Sequence, residues 1–151
     1  MTVIEPSLFR KLCDVLGHSR VYPDEIPMRE SDSGDVEPDC ALPAVAYRLV
    51  SGTQPESLDK GNLPYKSDSF LIEVFDTVAS RNQDVRTTLF KEFTGPVDKR
   101  PGAGGWPKVW VDGGPKVRWA EATDPSVDTD YGTKDAHDLL RFVQLLLPVT
   151  Y

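Results

Sequence analysis

Leu42-Pro-Ala-Val-Ala-Tyr-Arg-Leu-Val-Ser-Gly-Thr53 and Lys66-Ser-Asp-Ser-Phe-Leu-Ile-Glu-Val-Phe-Asp76 carry the clearest structural signal in the chain. Both runs are rich in β-branched and aromatic residues. The link between them, Gln54-Pro-Glu-Ser-Leu-Asp-Lys-Gly-Asn-Leu-Pro64, is rich in turn formers. The pattern predicts two neighbouring antiparallel strands joined by a long loop. Alternation puts Val45, Tyr47 and Leu49 on one face of the first strand and Ala44, Ala46, Arg48 and Val50 on the other. In the second strand Phe70, Ile72 and Val74 oppose Leu71, Glu73 and Phe75. One face of each strand is the more continuously apolar, which predicts a sheet covered by helices on one side only. Arg48 and Glu73 fall on the other face, placed to pair across the strands.

Towards the N-terminus, Leu8, Phe9, Leu12, Cys13, Val15 and Leu16 recur at the spacing of one helical face, predicting a helix over 5–16. Pro6 and Glu5 suit its first turn, a capping box from Thr2 to Glu5 is the alternative start, and Gly17 is a natural stop. Arg20-Val-Tyr-Pro23 reads as a short extended piece. Asp24 to Cys40 follows with seven acidic residues, two prolines and no periodicity, which predicts a solvated surface loop. A calcium loop does not fit there, because Gly34 lies two residues after Asp32 and no glutamate closes a twelve-residue frame.

Towards the C-terminus, Ser80-Arg-Asn-Gln83 fits a capping box, and Val85, Leu89 and Phe93 line one face with Phe90 beside them. A helix over about 80–94 is expected, ended by Gly95-Pro96. Gly95 to Pro107 holds too many breakers for regular structure and is expected to be a mobile surface loop. It lacks the spacing and the Lys-Ser/Thr ending of a phosphate-binding loop. Val109-Trp-Val111, the Asp112-Gly-Gly-Pro115 turn and Lys116 to Ala122 predict a short strand, a tight reversal and a longer strand, with Trp110 and Trp119 as sheet residues. His137 to Val149 is strongly apolar; strand is favoured over helix because it can return antiparallel to 116–123, and Pro148 is read as its end.

At 151 residues the chain has the size of one domain, and it is treated as a single unit spanning 1–151 with long loops at 24–40, 54–64 and 95–107. The fold class expected is α+β: a mostly antiparallel sheet of about four to five strands with two helices packed on one face. A net charge of −7 argues against electrostatic capture of nucleic acid or anionic membrane. Cys13 and Cys40 match no metal-ligand spacing and are read as free thiols in a reducing compartment, with Cys13 buried on its helix. No apolar run approaches the roughly 20 residues that span a bilayer, so synthesis and folding in the cytoplasm are expected.

Catalytic signals are weak. His18 and His137 are the only histidines, and neither stands in a recognisable nucleophile or base setting. His18 follows a helix stop and His137 opens a strand, both common structural positions. Asp128-Thr-Asp130-Tyr-Gly132 fails as a calcium loop, since the closing position is Leu139, and reads as a turn. No catalytic, cofactor-binding or metal-binding residues are assigned. Trp106 and Trp110, flanking a Gly/Pro-rich loop, suit either protein contacts or packing on the chain's own core. With Lys108, and with Leu58 and Leu63 in the earlier link, they are the candidate assembly contacts.

The order of features resembles the tail-completion or tail-terminator proteins of long-tailed bacteriophages, also called head-to-tail joining proteins. The matching residues are Leu8-Phe-Arg-Lys-Leu12, Arg20-Val-Tyr-Pro23, Leu42 to Gly52, Val74-Phe-Asp76, Val85-Arg-Thr-Thr-Leu89 and a late strand pair. The resemblance covers roughly residues 4 to 147, and its motifs are structural rather than catalytic. It implies a small subunit with helices against one sheet, six copies of which form a ring in the virion, assembled in the host cytoplasm. That ring would cap the tail tube on one face and offer the head connector a docking surface on the other. It implies no cofactor and no enzyme activity, and DNA passing through the lumen without specific binding. Acidic walls suit that passage, because they repel phosphate. The loops 24–40 and 95–107 look longer than the family needs and are expected to mediate contacts, ordering on assembly. A head-closure or neck protein is the nearest alternative. A small cytoplasmic enzyme or ligand-binding domain is the alternative from a different class.

Overall fold

The computed structural model describes residues 3–53, 56–57, 61–62, 66–93, 108–124, 129–131 and 140–151. In chain order these form helix α1 (Glu5–Leu16), strands β1 (Val21–Pro23), β2 (Met28–Glu30), β3 (Val36–Pro38), β4 (Ala44–Thr53), β5 (Glu56–Ser57), β6 (Gly61–Asn62) and β7 (Ser67–Asp76), helix α2 (Ala79–Glu92), and strands β8 (Lys108–Val109), β9 (Lys116–Val117), β10 (Trp119–Ala120), β11 (Thr129–Tyr131) and β12 (Leu140–Thr150). The architecture is α+β. The main sheet runs β1-β4-β7-β12-β10, with β11 also on β12, while β2-β3, β5-β6 and β8-β9 form separate pairs.

The two strands read from Leu42 to Asp76 are the antiparallel neighbours β4 and β7. Alternation decides what each face buries. Val45, Tyr47, Phe70, Ile72 and Val74 join Val143, Leu145, Leu147 and Val149 of β12 in one core, against Ile4, Leu8 and Leu12 at α1 and Leu89 and Phe93 at α2. Both helices therefore cover the same face. Lys11 and Glu92 form an ion pair between them. Of the 137–149 stretch, the described part from Leu140 is the strand expected, but Pro148 does not end it. The strand continues to Thr150, with Pro148 opposite Ser69, and the chain closes where Lys66 and Tyr151 exchange backbone hydrogen bonds of 2.7 and 2.8 Å.

The main sheet is mostly antiparallel, as expected, with β1 running parallel to β4. Several other sequence expectations are corrected. The acidic stretch 24–40 is not structureless: Met28, Arg29 and Glu30 pair with Pro38, Glu37 and Val36 in a small hairpin. None of its paired residues is buried, so hydrophobic period carried no signal. The 54–64 link includes the short β5-β6 pair. The predicted long strand 116–122 breaks at Arg118, since β9 pairs with β8 and β10 pairs with β12. Trp110 lies beyond β8 rather than in a strand, whereas Trp119 is in β10. The whole 95–107 loop, Gly95 and Pro96 included, lies outside the described residues.

Helix ends show where local chemistry won. Gly17 adopts the left-handed conformation (φ 73°) and stops α1 as expected. Helix α1 starts at Glu5 and Pro6 after Ile4, which makes no side-chain cap bond, and Thr2 of the alternative capping box lies outside the described residues. Helix α2 begins at Ala79, and Ser80 to Gln83 does not cap it: the residue before it is Val78, with no side-chain cap bond. Instead Asp76, fully buried at the end of β7, accepts through Oδ1 from the N–H groups of Thr77 (2.7 Å) and Val78 (3.2 Å) and from Arg81 Nη2 (2.7 Å). The carboxylate reaches the turn before Ser80 can, and its charge favours the helix N-terminus. Asp76→Ala should therefore cost about 1–3 kcal/mol in urea unfolding, whereas Ser80→Ala, on an exposed position, should stay within about 0.5 kcal/mol. Equal losses would restore the Ser80 cap.

Candidate functional site

The face of the sheet opposite the helices holds the most distinctive chemistry. A parallel neighbour requires a crossover, and the chain from β1 to β4 makes it across this face. Ile26, the buried apolar residue of the acidic stretch, packs there with Ala44, Ala46, Phe75, Leu140 and Phe142, flanked by Tyr22, Cys40 and Leu42. The Phe75 and Phe142 rings lie 5.6 Å apart, tilted by 33°. Helices cover one face only, as expected, and the crossover covers part of the other. Arg29 holds the hairpin of the crossover, with Nε donating to Glu37 at 2.9 Å.

Between the crossover and the sheet lies a hollow of about 310 Å³. Asp24, Glu25, Ile26 and Met28 line it from the crossover, and Arg48, Glu73, Phe75 and Leu140 from the sheet. Asp24 takes a left-handed conformation (φ 68°) that turns the chain over the sheet, and its N–H donates to the Tyr47 carbonyl at 2.8 Å. Glu73 is only 7% exposed. Gln144 Nε2 donates to its Oε2 at 3.1 Å. The Arg48–Glu73 pair expected from alternation does not form. Register sets Ala46 opposite Glu73 and Arg48 opposite Leu71, so Arg48 stands exposed at the rim while the Gln144 side chain on β12 takes the carboxylate.

Beside the hollow the sheet has a half-open edge. β1 covers β4 only from Val45 to Tyr47. From Arg48 onward the outer side of β4 has no strand neighbour among the described residues. Its register on β7 shifts between Leu49 and Ser51, and Leu49 and Val50 are 41% and 48% exposed. Neither was singled out from sequence, although two consecutive aliphatic residues straddling both faces of a strand are a signal of an uncovered edge.

Of the candidate contacts, Trp110 packs on the chain's own core, its ring edge-on to Phe93 with centroids 5.6 Å apart. Lys108 belongs to β8. Leu58, Leu63 and Trp106 lie outside the described residues, as does His137. Cys13 and Cys40 are free and partly buried, so the complete burial expected of Cys13 is not reached. Burial pushes both thiols up, away from the thiolate that a nucleophile needs. Among the described residues no group of three or more His, Cys, Asp or Glu side chains is arranged to hold a metal ion, and no helix is long and apolar enough to cross a membrane.

The sequence matches no protein-family model and no curated protein.

His18 is occupied structurally. Its Nδ1 accepts the Arg20 N–H at 3.1 Å, and burial first, then the Arg20 charge, lower its pKa. A histidine whose folded pKa lies below its unfolded value binds more protons when unfolded. It therefore contributes stability above about pH 6.5 that is lost as pH falls through that value. An NMR titration should place the His18 midpoint below that of a free imidazole, and His18→Gln should flatten this part of the stability profile. A midpoint at or above the free value would contradict the assignment.

Proposed function

We propose that this chain is an assembly subunit rather than an enzyme, forming a ring at the end of a bacteriophage tail tube that terminates the tail and joins it to the head connector. Support comes from the order of sequence features shared with tail-terminator proteins and from an α+β fold with both helices on one face. The observation that carries the assembly reading is the β4 edge beyond Tyr47, where backbone groups and the exposed Leu49 and Val50 stand together. Such an edge is a template for another chain. The ring size, the tail-tube and connector partners and the virion location follow from the family likeness. A net charge of −7 is compatible with a lumen that lets DNA slide past.

A second reading, a small ligand-binding domain, is favoured by one observation, the hollow over Glu73. Association separates the two. Sedimentation and negative-stain microscopy of the purified chain should show rings, and Leu49→Asp with Val50→Asp should weaken their assembly by about tenfold or more, 1.4 kcal/mol, without loss of the folded far-UV signal. Tails formed without the protein should be overlong or headless. A stable monomer that never associates with tails would overturn the proposal.

A further inference from the structure

We propose that α2 and the sheet hold a site for a single water molecule, which bridges the side chains of Asp76 and Asn82 and joins the first turn of the helix to the end of β7. This does not depend on the assembly reading.

Among the described residues, two buried side-chain atoms have no hydrogen-bond partner, Asp76 Oδ2 and Asn82 Oδ1. Their residues are 0% and 1% exposed. Both side chains enter the same layer. Asp76 has the parity of Phe70, Ile72 and Val74 on β7, which pack against the helices. Asn82 lies two turns before the buried Leu89 on the same face of α2. Two links bring them to one place. Asp76 stands opposite Arg141 in the β7–β12 ladder, and Asn82 Nδ2 donates to the Arg141 carbonyl at 3.1 Å. Asp76 Oδ1 accepts from the Val78 N–H, and the Val78 carbonyl accepts the Asn82 N–H at 3.2 Å.

The chemistry of the two oxygens selects the ligand. Each is an acceptor whose burial is costly until a donor meets it, so the ligand carries two donors. The orientation of the Asn82 amide is fixed, because the Arg141 carbonyl can be met only by its N–H. An anion is refused by both oxygens. A cation is opposed too, since Arg81 Nη2 already pairs with Asp76 at 2.7 Å and the N-terminus of α2 adds the positive end of its dipole. Both atoms are closed off from solvent, which leaves room for a small ligand only. Water is small, neutral and a double donor, and buried waters characteristically join such pairs. It can leave only when the first turn of α2 lifts from the sheet.

The test is a high-resolution crystal structure of the full chain, with rotating-frame Overhauser spectra in solution. The crystal should show one solvent peak about 2.7–3.2 Å from both oxygens. The spectra should show a cross-peak from a long-lived water to the Val78 amide proton. Thr77→Val and Ser80→Ala, which remove neighbouring hydroxyls able to relay such a signal, should keep it, and Asn82→Leu should lose it. If Asn82→Leu does not fold, the crystal and the wild-type spectra decide alone. A protein donor on either oxygen, separate waters on each, a peak coordinated like a metal ion, no peak at all, or a cross-peak retained in folded Asn82→Leu would overturn the proposal.

Discussion

Strand β7 is paired on both sides along its length, to β4 and to β12, and almost every other placement follows from that double ladder. A strand held on both sides cannot rotate, so each of its residues is committed to a face. Phe70, Ile72 and Val74 are committed to the helices. Glu73 is committed to the opposite face, between Ala46 and Gln144 on the neighbouring strands, and the Gln144 side chain supplies it a donor. The hollow above it is closed from the other side by the crossover residues Asp24 to Met28.

The same constraint shows why part of the fold was legible in sequence. Period-two alternation over Ala44 to Val50 and Phe70 to Phe75 reports one buried face directly, and the helical stripe from Leu8 to Leu16 reports the element that covers it. Strand was rightly favoured over helix from Leu140 onward, where Trp119, Ala120 and Thr123 do supply antiparallel partners. What misled was punctuation. Pro148 read as a stop, yet proline costs a strand only the hydrogen bond its missing N–H would have made. Ser80 to Gln83 read as a cap, yet Asp76, two residues before the turn's apolar Val78, reached the backbone N–H groups first.

The site was much less legible. Composition made 24–40 look like a solvated loop, and its hairpin is in fact mostly exposed, so the composition was a fair guide to its solvent contact. It gave no sign that one residue, Ile26, pins the stretch to the sheet. A lone isoleucine before a proline in an acidic run has no period to detect. Only the parallel placement of β1 beside β4, which forces the connection over this face, gives it a meaning. For Trp110 the sequence left two readings open, a protein contact or packing on the chain's own core, and the Phe93 ring at the end of α2 gives it an edge-on partner within the chain.

The two edges of the main sheet are treated differently, and this bears on what kind of contact the open one can make. Along β12 the outer side meets β11 at Leu140 to Phe142, Thr123 at Leu146 and β10 at Val149 and Thr150. Along β4 cover stops at Tyr47. Natural sheets blunt an exposed edge with charge or a bulge, and β4 has both, with Arg48 at the last covered position's neighbour and an irregularity between Leu49 and Ser51. A bulge bends the strand and increases its twist. A long added strand would therefore lose register within a few residues of Arg48. The edge is suited to a short contact read by side chains, Leu49 and Val50 above all, and not to open-ended strand addition. An edge without such interruptions would be a template for open-ended strand pairing.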